Sequence, residues 1–295
     1  MDKNYSIDFA NAFNNEIVIT GIVRNISKTF SQDYTRLNKA FGNFKRIKWF
    51  LVESDSEDDT LNILKSTSEL NYNFSWCSLG DLERLKLPRA ERLSIARNRY
   101  VEELQKVDYS GAHIIVVADF NGLSSLVDEK AILSCWKELN WSACTANQSG
   151  RYYDVWALRH ALWSPNDCWK QYKFFRQYTK IPELTLFSAV NSRMIKIPVD
   201  SPWIEVQSAF GGLAIYDATV FKYARYSGID LDGEETCEHV EFNRLIIDRG
   251  GKIYINPSMI NTEYTDHSIN SGLYSAFARV FKYPKKKLKQ IKSQI

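Results

Sequence analysis

The sequence predicts an α/β fold: one continuous domain built on a mixed, mainly parallel sheet flanked by helices. Three observations predict it. The stretch HIIVVADFNGL, His113 to Leu123, opens with four apolar residues in a row, Ile114 to Val117, as a strand buried on both faces does. From Glu16 to Thr60 the chain reads apolar run, polar turn, helix-permissive stretch, apolar run, which is the βαβ rhythm of a parallel sheet. No linker, internal repeat or low-complexity segment divides the chain.

The elements follow in order. EIVITGIVRN places a first strand at Ile17 to Ile19, ahead of Gly21, ending in a turn that carries Arg24 and Asn25. Ser31 to Phe44 is polar and helix-permissive, and Ile47 to Val52 is a second strand with Glu53, Ser54 and Asp55 at its carboxyl end. A helix opens near Asp58 and runs through Leu61 and Leu64; Phe74 to Leu79 is a short third strand. Pro88 starts a helix in which Leu93, Ala96, Tyr100, Val101 and Leu104 fall near helical spacing. Arg92, Arg97, Asn98 and Arg99 share that helix. The run Ile114 to Val117 then ends at Asp119 and Asn121, and Gly122 lets the backbone turn. Beyond it, Trp141 to Thr145 and Tyr153 to Leu158 read as strands, while Trp163 to Ile197 reads as irregular or helical. Gly211 and Gly212 precede the apolar Leu213 to Tyr216; a helix from about Glu238 to Arg249 and a last strand, Lys252 to Asn256, close the pattern.

Bulk properties exclude several classes. At 295 residues with 44% hydrophobic and 25% charged residues, the chain is an ordinary globular composition. A net charge of +3 is too small to argue for a nucleic-acid partner. Five cysteines, odd in number and without a C-x-x-C pair, read as free, mostly packed thiols in a reducing compartment. The first residues lack the basic-then-apolar pattern of a signal peptide, and no apolar run approaches the ~20 residues of a membrane span. The expected location is the cytoplasm, with possible attachment to the inner face of a membrane. That attachment would come from residues 277–295, where lysines alternate with Phe281, Tyr283, Leu288 and Ile291, a pattern suited to an anionic membrane surface.

Asp119 and Asn121 stand two residues apart at a strand's carboxyl end, where open α/β sheets bind ligands. Such a pair can hold a divalent cation, which in turn holds a diphosphate, or it can simply cap the strand.

Six pieces in order resemble glycosyltransferases of the GT-A (Rossmann-like) fold, and most nearly the fungal capsular mannosyltransferase-like group with its relatives in capsule and cell-surface glycan synthesis. They are TGIVRN (Thr20–Asn25), VESDSEDDT (Val52–Thr60), RLSIARN (Arg92–Asn98), VVADFNGL, RYYDVWALRH (Arg151–His160), and the SAFGGLAIY…CEHVEFN…GGKIYINP series from Ser208 to Pro257. Two departures stand out: the metal motif is D-F-N where many GT-A enzymes carry two aspartates, and His160 replaces the second acid of a Y-D-x-W-x-x-R-D pattern.

The resemblance implies a hexosyltransferase domain over residues 1–276, with a nucleotide-binding half at about 16–123 and an acceptor half at about 124–276. The donor would be a nucleotide diphosphate sugar and the acceptor a glycan or lipid-linked glycan, with no nucleic acid and a divalent cation (Mn or Mg) as cofactor. Arg24, Glu53, Arg92, Arg97, Asn98, Asp119 and Asn121 would bind the donor. Asp154, Trp156, Gly211 and Gly212 would meet the sugar or acceptor. The metal would rest on Asp119, Asn121 and His239. Glu238 would be the general base if the reaction inverts, and would orient the acceptor if it retains. Bland alternatives exist for each: helix caps for the acids, a charged helix face for the arginines, a core tryptophan and plain turns. A sugar nucleotidyltransferase would need a Gly-rich, basic loop after the first strand, for which TGIVRN is too poor in both; a non-catalytic nucleotide-sugar or glycan-binding protein is the other alternative.

Overall fold

The computed structural model describes residues 12–263, so the basic segment 277–295 lies outside the described residues. Four strands, β1 (Glu16–Val23), β2 (Arg46–Glu53), β3 (Phe74–Ser78) and β4 (Ala112–Ala118), lie parallel in the order β3-β2-β1-β4. Helices α1 (Phe30–Ala40), α2 (Thr60–Leu70) and α3 (Arg89–Leu104) make the crossovers. The sheet continues beyond β4 with β7 (Leu213–Asp217), β5 (Ala143–Gln148), β8 (Ile253–Thr262) and β6 (Ile204–Val206). The β4–β7, β7–β5 and β8–β6 pairs are antiparallel and β5–β8 is parallel. Four further helices are α4 (Glu129–Leu133), α5 (Cys168–Tyr178), α6 (Pro182–Ala189) and α7 (Glu238–Ile247). This is the mixed, mostly parallel sheet flanked by helices that the sequence predicts.

Strand periodicity sorts the core into two layers. Val18, Phe50, Val52, Ile115 and Val117 pack with Tyr100 and Val101 of α3 and Phe242 and Ile246 of α7. Their neighbours Ile17, Ile19, Trp49, Leu51, Ile114 and Val116 pack with Leu37 of α1, Leu64 of α2 and Ile132 of α4. The first layer runs unbroken from Val18 in β1 to Ile255 in β8, so the described residues form one domain. All five cysteines are free, four of them buried. Among the described residues no helix is long and apolar enough to cross a membrane.

Two expectations change and one open alternative is resolved. Tyr153 to Leu158 is not a strand: its polar groups are satisfied by loops instead of a ladder. Tyr152 N–H donates to Ile195 O (2.8 Å), Val155 N–H to Tyr153 O (2.9 Å), and the Asp154 carboxylate accepts from Gly211 N–H (2.9 Å). The region Trp163 to Ile197 holds α5 and α6; Asp167 caps α5 by accepting from Trp169 and Lys170 N–H (2.8 and 3.0 Å), and Pro182 opens α6. The last strand runs past Pro257 to Thr262, through shifts in its register with β5, and the short edge strand β6 was not foreseen.

Gly21 lies inside β1, not at its end. A Cβ there would stand 2.2 Å from Ala118 O and 2.8 Å from the Phe120 ring, so only glycine lets β1 and the end of β4 approach this closely. Gly21→Ala should therefore cost roughly 3 kcal/mol or more. Urea denaturation of the purified protein measures it, and a loss of a few tenths would contradict the tight β1–β4 approach.

Candidate active site

A cavity of about 980 Å³ opens at the carboxyl ends of the parallel strands. The end of β1 supplies Arg24 and Asn25, the end of β2 Ser54 and Asp55, and α3 Arg89, Arg92 and Arg97. Asp119 and Asn121 follow β4, Asp154 and Trp156 come from the loop before α5, and Glu238 and His239 begin α7. Asn25 and Asp55 take left-handed backbone conformations (φ 53° and 59°), which turn the chain sharply at the exits of β1 and β2.

Arg97 is the centre of the site. Its side chain is 4% exposed, as is that of Glu238. Its Nε–H donates to Glu238 Oε1 at 2.9 Å, its Nη2 lies 3.4 Å from Asp119 Oδ1, and its Nη1 reaches the Tyr100 hydroxyl at 3.5 Å. The guanidinium carbon also stands 5.2 and 5.6 Å from the Phe210 and Tyr226 ring centroids. Burial works against the charge, but Tyr100, Glu238 and Asp119 more than offset it and hold the pKa well above its ordinary value. Arg97, expected to neutralise a diphosphate, is thus committed to the two acids expected to do the chemistry.

The acids differ in their surroundings. Asp119, 29% exposed at its side chain, has its carboxyl pushed up by burial while Arg97 pulls it down. Its backbone N–H donates to Gly212 O (2.9 Å), which ties the end of β4 to the start of β7. Burial raises Asp154 to about 6; the Gly211 N–H opposes that shift, and the nearby Asp119 and Glu238 charges add to it. Trp156 lies at the cavity wall with its indole N–H donating to Asp167 (3.0 Å).

His239 bears on the metal. Its ring is 2% exposed and stacks on Phe210 at 3.9 Å, and neither ring nitrogen has a hydrogen-bond partner. Burial, and then Arg97, push its pKa well below the usual value, so the imidazole is neutral and able to donate a lone pair. Among the described residues no three His, Cys, Asp or Glu side chains converge as a ready-made cage. A cation carried in with substrate phosphates needs only one or two protein ligands. The His239 imidazole, the partly open Asp119 carboxylate and the exposed Asn121 all line the cavity and are of the donor types such a cation takes.

Four expected residues do not face the cavity. Glu53 is buried at the end of β2, accepting from Ser56 N–H (2.9 Å) and Ser78 Oγ–H (2.5 Å). Asn98 spends its amide on the Tyr226 backbone, donating to its carbonyl and accepting from its N–H, both at 2.9 Å. Gly211 and Gly212 (φ 73° and 84°) permit packing: a Cβ would meet Ala146 O and the Tyr153 hydroxyl, each at 2.6 Å. Asp58, just ahead of α2, accepts from Thr60 and Ser27 N–H at 3.0 Å. Asp55, at the strand end beside Glu53, lines the cavity, and Glu83 and Arg89 join it from outside the expected set. For Asp55 and Arg89 a signal existed: each lies at a strand exit or helix start beside a chosen residue.

No family model and no curated protein matches the chain. Among solved structures it resembles the mannosyltransferase PcManGT from Pyrobaculum calidifontis, in complex with GDP-Man and Mn2+, at 10% identity and a TM-score of 0.48. That likeness spans 92% of this chain and 66% of that one. It also resembles glucosyl-3-phosphoglycerate synthase from Mycobacterium tuberculosis in complex with UDP (12% identity, TM-score 0.41, 89% of this chain and 75% of that one). A third likeness is to residues 1–349 of S. aureus TarS (10% identity, TM-score 0.48, 84% and 60%). The chain thus spans less than two thirds of the first and third of these. The functional reading rests on the site's own geometry.

Removing the Arg97 charge should strand Glu238 and Asp119: Arg97→Met is expected to destabilise by about 3–5 kcal/mol, with much of the loss recovered on adding Glu238→Gln. Denaturant midpoints of the single and double variants check this. Asp154 has the opposite sign. Its folded pKa lies above the unfolded value, so its contribution to stability is lost as pH rises from about 4 to 6. Asp154→Asn should therefore gain about 2–3 kcal/mol at pH 7 and nothing below pH ~4. Melting curves across that range would show it.

Proposed function

We propose that the protein is a glycosyltransferase that moves a hexose from a nucleotide diphosphate sugar to an acceptor hydroxyl. One observation carries this reading: a cavity at the carboxyl ends of β1, β2 and β4 is lined both by Arg24, Arg89 and Arg92 and by the Asp119–Arg97–Glu238 cluster. Guanidinium groups suit a diphosphate, and a positioned carboxylate suits an acceptor proton.

In this reading Asp55 and Asn25 meet the nucleoside and Arg24, Arg89 and Arg92 the phosphates. A divalent cation held by Asp119 and His239, with Asn121 beside them, would offset negative charge on the leaving diphosphate. Asp154 and Trp156 contact the transferred sugar or acceptor, the carboxyl through hydroxyl groups and the indole through a ring face. If the reaction inverts, Glu238 takes the acceptor's proton as the acceptor oxygen bonds to the anomeric carbon and the bond to the diphosphate breaks. Arg97 fixes the Glu238 carboxylate for this step by holding Oε1. If configuration is retained, the same carboxylate orients the acceptor. By its motifs we further infer kinship with the fungal capsular mannosyltransferase-like group, a place in surface polysaccharide synthesis at the cytoplasmic side of a membrane, and a glycan or lipid-linked acceptor.

Calorimetric titration with UDP, GDP and other nucleoside diphosphates, with and without Mn2+, tests the reading. One of them should bind, more tightly with Mn2+, and Asp119→Ala should remove the metal's effect. Glu238→Gln should keep donor binding while transfer falls by about 100-fold or more. If no nucleoside diphosphate binds under either condition, the proposal fails.

A further inference from the structure

The nucleotide side of the cavity is already occupied by an anion that belongs to the protein. Glu83 begins a single 3-10 turn (Glu83–Leu85) between β3 and α3, and its Oε1 lies 2.6 Å from Arg24 Nη1 and 3.3 Å from Arg92 Nη1. Both arginines line the cavity, one from the exit of β1 and the other from α3. Two guanidinium groups converging on one anionic oxygen is the arrangement that binds a phosphate oxygen. The Nε–H of Arg92 is buried and has no partner. Glu83 is steered into place by its own backbone, whose N–H donates to Asp55 Oδ1 at 2.9 Å. The carboxylate is 50% exposed and its arginine partners 45% and 23%, so these are pairs of the weak, readily exchanged kind.

We propose that Glu83 is a stand-in anion: it fills the Arg24–Arg92 phosphate site in the free protein and is displaced by the diphosphate of the incoming nucleotide. This rests on the reading of the cavity as a nucleotide-sugar site. It adds a built-in competitor that sets how tightly that site binds.

The test is calorimetric titration of the 295-residue chain and its Glu83→Gln variant with inorganic pyrophosphate, UDP and GDP, at low and high ionic strength. Glu83→Gln should bind pyrophosphate and the accepted nucleotide roughly fivefold more tightly, with the gain shrinking in high salt. Arg92→Gln should weaken both. Unchanged or weaker binding by a Glu83→Gln protein that melts like the wild type overturns the stand-in role and leaves the transferase reading intact. Tighter pyrophosphate binding with no nucleotide bound by either protein supports the stand-in site and removes the transferase reading. Should Glu83→Gln not fold, Glu83→Asp, which withdraws the carboxylate by one methylene, must show the same direction of change.

Discussion

A single buried guanidinium holds this site together. Arg97 sits on the face of α3 that packs against the sheet, 4% exposed, between Glu238 from the start of α7 and Asp119 from the end of β4. Taking such charges out of water is costly, and the cost is met because Glu238 and Asp119 accept from the guanidinium with opposite charge, the Tyr100 hydroxyl accepts a further bond, and the flat cation lies against Phe210 and Tyr226. The arrangement locks together three elements far apart in the sequence. It also leaves the cavity's acidic wall with more carboxylates than cations, since Asp154 adds to Asp119 and Glu238. A neutral, unpartnered His239 beside that excess of negative charge is the environment a divalent cation stabilises.

The sheet supplies the precision that this cluster needs. Gly21 brings β1 against the end of β4, and the Asp119 N–H to Gly212 O bond ties β4 to β7. Asp119 therefore projects from a backbone anchored on both sides. Gly211 extends the same frame by giving its N–H to Asp154, so one pair of glycines before β7 helps to place two of the three acids. The basic wall is looser. Its arginines are partly exposed and meet Glu83 on a short turn, which suits a surface that must exchange one anion for another.

Much of this was legible in the sequence where burial leaves a periodic trace. The β1, β2 and β4 runs are apolar because both faces are covered, and α3 and α7 show their packed faces as helical spacing. Asp119, Arg97 and Glu238 were each marked by their motif, yet nothing local says that residues 97 and 238 share a hydrogen bond across 141 positions. Glu53 and Asp55 were confused for the same reason. Both stand near the exit of β2, but strand alternation turns Glu53 inward to Ser78, and the left-handed turn at Asp55 presents that acid to the cavity. Tyr153 to Leu158 has the composition of a strand, but its hydrogen bonds go to loops brought in from residues 195 and 211. Asn98 looks like a site residue beside Arg97, but 100° of helix turns it to the Tyr226 backbone.

The central claim is that the Arg97 guanidinium is held, desolvated, by Glu238 and Asp119. Arginine side-chain 15N NMR addresses it directly. The account predicts one Nε–H resonance protected from exchange with water, assigned by its loss in Arg97→Lys, and shifted or exchange-broadened in Glu238→Gln. A spectrum in which every arginine Nε–H exchanges rapidly, or in which Glu238→Gln leaves the Arg97 resonance unchanged, would contradict it.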